Sequence, residues 1–247
     1  MKKNYLTLLT SSFLTLLLTV LSFHSVHAQM FSVEERDERP AFDFRYTSLS
    51  FGWEFAEFQF QGDPETAGNE RSDFDNGILK AQFETPDINV YLGLAGNLTG
   101  MENQSYVNFG ASIYNYFVLS QSETYRLLLP VQINIDLLRT QRDGITQQFQ
   151  QSAFQAGAGG AAEYRLRNSL LTSVELVPRI GFSSSQGGVF GGRIFSLEGK
   201  ARMVILNAIG SNGLVLGYNY NHKSYTIDED IFDYDFNGHS ITLGITF

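Results

Sequence analysis

The sequence contains no cysteine. That excludes a disulfide-stapled secreted scaffold, and it excludes a lipid anchor attached to a cysteine at a cleavage site. Lysine is scarce as well: there are five against twelve arginines, and only Lys80, Lys200 and Lys223 lie beyond the first few residues. Ordinary soluble surfaces rely on many lysines, whereas arginine suits fixed, hydrogen-bonded ion pairs. After the opening segment no apolar run is long enough for a spanning helix. The sequence also lacks a Walker-type loop, a dinucleotide fingerprint in a βαβ setting and a Cys/His zinc pattern.

The opening segment reads "MKKNYLTLLTSSFLTLLLTVLSFHSVHAQ". Lys2 and Lys3 form a basic start, a leucine-rich stretch follows, and Val26-His27-Ala28 fits a small-x-small cleavage point. Residues 1–28 are therefore expected to be a secretory signal peptide and are set aside from the fold. Residues 29–40, "QMFSVEERDERP", are expected to be a periplasmic N-terminal tail. Removing the leader leaves fifteen basic against twenty-six acidic residues, a formal charge of −11. That balance argues against a nucleic-acid partner.

Residues 41–247 show one dominant signal, apolar and polar residues in strict alternation. In the last segment Ile241, Leu243, Ile245 and Phe247 share one face, and Ser240, Thr242, Gly244 and Thr246 share the other. The stretch "YRLLLPVQINIDL" sets Leu127, Leu129, Val131, Ile133 and Ile135 against Arg126, Gln132, Asn134 and Asp136. Ten strands are expected, near 42–61, 77–84, 87–98, 105–119, 124–139, 150–166, 170–184, 191–208, 214–226 and 236–247. Most reach the roughly 9–11 residues that a tilted strand needs to cross a bilayer. Short and long connections alternate between them, as in an up-and-down barrel. The apolar parity of "FRYTSLSFGWEFAEFQF" switches near Ser48 and near Ala56, which suggests bulges.

Alternation alone fits a soluble barrel and its inverse. The polar face decides between them. It carries opposite charges on neighbouring strands: Arg126, Asp136, Glu163, Arg165, Glu175, Arg179, Glu198, Lys200 and Arg202. The same face carries Gly110, Gly157, Gly159, Gly217 and Gly244, which leave room in a narrow interior for arginine and tyrosine. The apolar face carries Tyr125, Tyr164, Phe182, Phe195, Tyr220 and Phe247 near strand ends, as an interfacial girdle would. The expected fold is an all-β, up-and-down antiparallel transmembrane barrel of ten strands, with its apolar face outward.

A chain ending on Phe247, with Ile241, Leu243 and Ile245 at every second position before it, resembles small Gram-negative outer-membrane β-barrel proteins. The resemblance implies that these four residues serve as an assembly signal read by the barrel-insertion machinery. It also implies that the last strand closes against the first, with outer-membrane lipid and lipopolysaccharide around the wall. It implies no activity of its own. The strand count is similar to that of the omptin proteases, whose chemistry needs a His–Asp couple and an Asp pair. The mature chain holds two histidines, His222 and His239, expected to sit opposite each other across a hairpin and to face outward. No catalytic, cofactor or metal residues are assigned.

Two acidic connections remain. Asp63, Glu65, Glu70, Asp73 and Asp75 lie in one, and Asp228, Glu229, Asp230, Asp233 and Asp235 in the other. They are read as a solvated rim, or as a place where divalent cations bridge to lipopolysaccharide phosphates. Three functions are weighed: a structural or surface barrel whose lumen is filled by side chains, a narrow porin-like channel for small solutes, and a surface enzyme. The enzyme is disfavoured because no nucleophile–base pair is found.

Overall fold

The computed structural model describes residues 46–61, 73–143, 149–185, 192–226 and 233–247. Residues 1–40, expected to be a leader and a tail, and most acidic-loop residues lie outside the described residues. Eleven strands follow one another: β1 (Ser48–Phe60), β2 (Phe74–Glu84), β3 (Ile88–Ala95), β4 (Gln104–Gln121), β5 (Tyr125–Arg142), β6 (Phe149–Ala158), β7 (Gly160–Arg167), β8 (Leu170–Ser185), β9 (Gly192–Ile209), β10 (Asn212–Thr226) and β11 (Tyr234–Thr246). β6 and β7 pair with the same two neighbours, β5 and β8, so they are halves of one stave broken at Gly159. Ten staves result. All pairings are antiparallel, and β1 against β11 closes the cylinder from Ser48↔Thr246 to Phe60↔Tyr234. Closure leaves no sheet edge, the condition for backbone to cross lipid. Phe247 adds one more bond, its N–H donating to the Thr47 carbonyl at 3.0 Å.

One end carries the tight connections 85–87, 122–124, 168–169 and 210–211. Their chemistry is local. The Thr85 hydroxyl accepts from the Ile88 N–H at 3.0 Å, and the Ser122 hydroxyl accepts from the Thr124 and Tyr125 N–H groups at 3.2 Å. Such hydroxyl-capped turns need no long loop. Gly210 supplies a φ of 64°, a left-handed backbone that glycine tolerates. The longer connections gather at the other end. There, the described stretch between β3 and β4 folds into a 3-10 turn, Asn97–Thr99.

Side chains sort by parity as expected, and the barrel is inside-out. In β5, exposed and buried positions alternate from Leu127 to Thr140. Leu243 and Ile180 are 62% and 70% exposed, whereas Gln155 and Lys223 are 0% and 1% exposed. In water this belt would be a continuous apolar surface far beyond what a soluble monomer tolerates. Facing acyl chains, it is matched to its surroundings. The aromatic girdle is present: Tyr125 lies beside Tyr164 at the short-turn end, and Phe154 stacks on Phe182 farther up at 5.4 Å.

β1 departs from expectation. Its pairing with β2 and β11 runs without interruption, so there is no bulge at Ser48 or Ala56. Phe58 and Phe60 keep the parity of Glu54 and point inward. The parity of apolar residues switches because the interior itself changes character toward the loop end. Register shifts occur elsewhere, at Val118/Ser120, Arg165/Arg167 and Asn212/Leu214, all beside the tight turns. Barrel rims are common sites for such irregularities.

Candidate functional site

Among the described residues, charged and hydrogen-bonding side chains concentrate in the lumen, which is layered along the barrel axis. At the loop end the filling is aromatic. Phe58 stacks on Phe74 at 5.5 Å and on Tyr234 at 4.7 Å, and meets Phe60 edge-on at 5.0 Å. Phe149 packs edge-on against Phe60 at 5.3 Å. Tyr106 and Phe236 stack parallel at 6.4 Å. All of these rings are buried, with Ile78, Met101, Leu138 and Ile194 in the same cluster. The sequence reading missed this layer, because it sought apolar residues on the outer face only.

Beneath the rings lies a first ionic layer. Lys223 pairs with Asp136, which also accepts from Asn108 and, at 3.2 Å, from the Tyr91 hydroxyl. Lys80 lies 3.2 Å from Glu54 and 5.3 Å above the Tyr91 ring. Gly110 makes this arrangement possible: a Cβ there would strike the Tyr91 ring.

A second ionic layer crosses the middle. Arg179 binds Glu198 at 2.7 Å and donates to the Ser196 hydroxyl at 2.9 Å. Lys200 reaches Glu198 at 3.4 Å and Glu175 at 3.7 Å, and donates to the Tyr114 hydroxyl at 2.6 Å. The Tyr116 hydroxyl donates to Glu175 at 2.9 Å.

The third layer borders the short turns. Arg126 pairs with Glu163 at 2.6 Å, and Arg202 lies 3.5 Å from Glu84. Arg165 sits half-buried on the same face. Below these pairs opens a cavity of about 240 Å³. Farther inward, between Lys80, Tyr91, Arg179 and Glu198, the void shrinks to about 10 Å³.

All nine charged residues assigned to the lumen from sequence lie on its inner face. Four more join them: Glu54, Lys80, Glu84 and Lys223. A signal for Lys80 and Lys223 was present, since they share parity with Gln82 and Asn221. A charge buried in low dielectric persists only when paired and hydrogen-bonded, and each lysine among the described residues, Lys80, Lys200 and Lys223, has a carboxylate partner.

The histidines do not face each other. The β10–β11 register sets His239 opposite Tyr220 and His222 opposite Asn237. The hairpin centre is therefore displaced from the midpoint that the sequence suggested. His239 Nδ1 lies 2.7 Å from the Tyr218 hydroxyl, and His222 Nδ1 lies 2.8 Å from Asn237 Oδ1. Among the described residues, no group of three or more His, Asp or Glu is placed to hold a metal ion. Of the ten acidic residues assigned to the two connections, Asp73, Asp75, Asp233 and Asp235 are described; Asp75 lies within β2 and Asp235 within β11 rather than in loops, and Asp73 caps β1, its carboxylate accepting from the Phe60 N–H at 2.7 Å. Asp63, Glu65, Glu70, Asp228, Glu229 and Asp230 lie outside the described residues.

No family model matches the sequence, and no curated protein matches it. Among solved structures the chain is similar to the outer membrane protease OmpT from Escherichia coli, at 12% identity and a TM-score of 0.41, covering 82% of this chain and 95% of that one. It is also similar to Ail, the attachment invasion locus protein of Yersinia pestis (13% identity, TM-score 0.30, 82% and 99% covered). A third likeness is to the β domain of the Bordetella autotransporter BrkA (11%, 0.35, 82% and 98%). These likenesses are distant, and the chain's own geometry carries the assignment. With a closed wall, an apolar exterior and an ionic interior, it is a small transmembrane β-barrel of the kind that spans the bacterial outer membrane.

Proposed function

We propose that this barrel is a closed, non-catalytic structural or surface element of the outer membrane, with its loop end outward and its tight turns in the periplasm. The observation that supports this reading is the aromatic layer around Phe58, Phe149 and Tyr234, stacked on two ionic layers. A ten-stranded cylinder is little wider than one whose interior side chains just fill. A void of about 10 Å³ holds one water at most. Reconstitution of the purified full chain into a planar bilayer tests the reading. The expected trace is silent, and discrete conductance steps would overturn it in favour of a narrow channel.

The channel reading has one observation in its favour, the cavity open at the short-turn end. An enzymatic reading finds less support, since both histidines bond to neutral partners on the outward-facing side. Turnover of a lipid or peptide substrate by the pure protein would revive it. In the proposed setting Ile241, Leu243, Ile245 and Phe247 address the insertion machinery. Lipopolysaccharide surrounds the outer rim, with divalent cations between its phosphates and the acidic loops.

A further inference from the structure

We propose that residues 41–45, "AFDFR", add an antiparallel strand to an uncovered edge of β4 beneath the β2–β3 turn. The staves close the wall at the levels they share, but β4 runs on below its neighbour β3. The β3–β4 ladder ends at Ile88↔Ile113. One further bond follows, from the Tyr114 N–H to the Asp87 carbonyl at 2.8 Å. On its other side β4 stays paired with β5 down to Gln121↔Arg126. From Asn115 to Gln121, β4 therefore has a neighbouring strand on one side only among the described residues.

Backbone groups alternate sides along an antiparallel strand. Tyr114 faces β3, so Tyr116 and Val118 direct their N–H and C=O groups to the same, vacant side, while Phe117 turns its own to β5. An uncovered edge is a template for another strand, and proteins blunt it with charge, with proline or with a covering segment. β4 contains no charged residue and no proline. Its register shift, at Val118/Ser120, lies in the ladder with β5. Phe117, Val118 and Leu119 are each more than half exposed. A covering segment is the device that remains.

The chain carries a fitting one. Alternation in the sequence runs through Phe42, Phe44 and Tyr46 against Asp43, Arg45 and Thr47, and Pro40 bounds it. Yet β1 opens at Ser48, opposite the end of β2 at Glu84. The residues before Tyr46 thus have the pattern of a strand and no continuation of β2 to pair with. Tyr46 marks where they join the barrel. It lines the cavity of about 240 Å³ at the short-turn end, together with Pro86, Asn115, Tyr116 and Val118. Direction agrees as well. β1 leads away from the short-turn end and β4 leads to it, so a segment entering β1 runs antiparallel to β4. Five extended residues reach about 17 Å, enough to cover most of the vacant edge. A second copy fits this edge less well. Two copies inserted the same way up are related by an axis along the membrane normal. Strands tilted by roughly 35–45° would then cross instead of lying antiparallel.

The inference does not rest on the closed-lumen reading, because a conducting barrel would present the same edge. The test is amide hydrogen exchange, read residue by residue by NMR, on the full chain in detergent micelles. The comparison is a Phe42→Pro/Phe44→Pro variant, whose altered segment can neither donate nor extend a ladder. The Tyr116 and Val118 amides are expected to exchange at least about a hundredfold more slowly in the unaltered chain than in the variant. The Phe117 amide should stay slow in both, which reports that the barrel itself has folded. Fast exchange of Tyr116 and Val118 in the unaltered chain would reveal an open edge and overturn the proposal. Equal protection in both chains would also overturn it, in favour of another occupant, and protection that falls on dilution would identify that occupant as a second copy.

Discussion

Single residues set the stakes inside this barrel. Lys223 is 1% exposed, and its ammonium pairs with Asp136 among Tyr91 and Asn108. Removing one partner of a buried pair strands the other. Lys223→Met is therefore expected to lower the unfolding free energy in urea by about 3–5 kcal/mol. Adding Asp136→Asn should restore much of it, since the amide oxygen still accepts from Tyr91. A double variant as unstable as the single would show that the pair contributes by shape rather than by charge. Gly110 offers a second measurement. Its added Cβ would meet the Tyr91 ring, so Gly110→Ala is expected to cost about 1–3 kcal/mol through overpacking. In a Tyr91→Ala background the same change should cost much less, and a double-mutant cycle reads the coupling.

At the scale of a strand, depth matters as much as face. Ile133 lies near the middle of β5, and Tyr125 starts it; both point outward. Ile133→Arg is expected to cost about 2–4 kcal/mol, and Tyr125→Arg about 0–1 kcal/mol, in refolding titrations into lipid vesicles. Equal costs would mean that the bilayer is not centred where the girdle suggests. The inner face is not a free contrast. From alternation alone an arginine at Thr242 should be tolerated better than one at Leu243. Thr242 is 2% exposed and packs tightly against Gly52 and Gly217, which leaves no room for a long side chain. Alternation revealed nearly all the staves and their faces, because a one-residue slip would expose every charge to lipid. It could not reveal that Phe58 and Phe60 belong to the interior, because periodicity states which residues share a side and not what that side is made of. Nor could it reveal which partner Lys223 chooses, since Asp136 lies 87 residues away and meets it across the lumen.

For the molecule as a whole, two opposite designs coexist in one cylinder. The exterior is uniform and obtains its free energy from matching lipid. The interior is graded, from rings at one end through crossed ion pairs to an open vestibule at the other. Truncating the ring layer tests its sealing role. Phe58→Ala is expected to destabilise the barrel by about 3–5 kcal/mol, as for a fully buried aromatic. On its own it should not produce conductance, because the ionic layers beneath remain closed. Steady current from that variant in a planar bilayer would place the whole seal in the rings.

The placement of the lysines has a practical corollary. In a chain lacking residues 1–28, every primary amine except the terminal one is enclosed within the wall. An amine-reactive ester offered to the inserted protein should therefore acylate the terminus alone. The same reagent in denaturant should add three further groups, at Lys80, Lys200 and Lys223. Mass spectrometry of such a pulse would count assembled against unassembled molecules directly, without a reporter dye or an engineered tag.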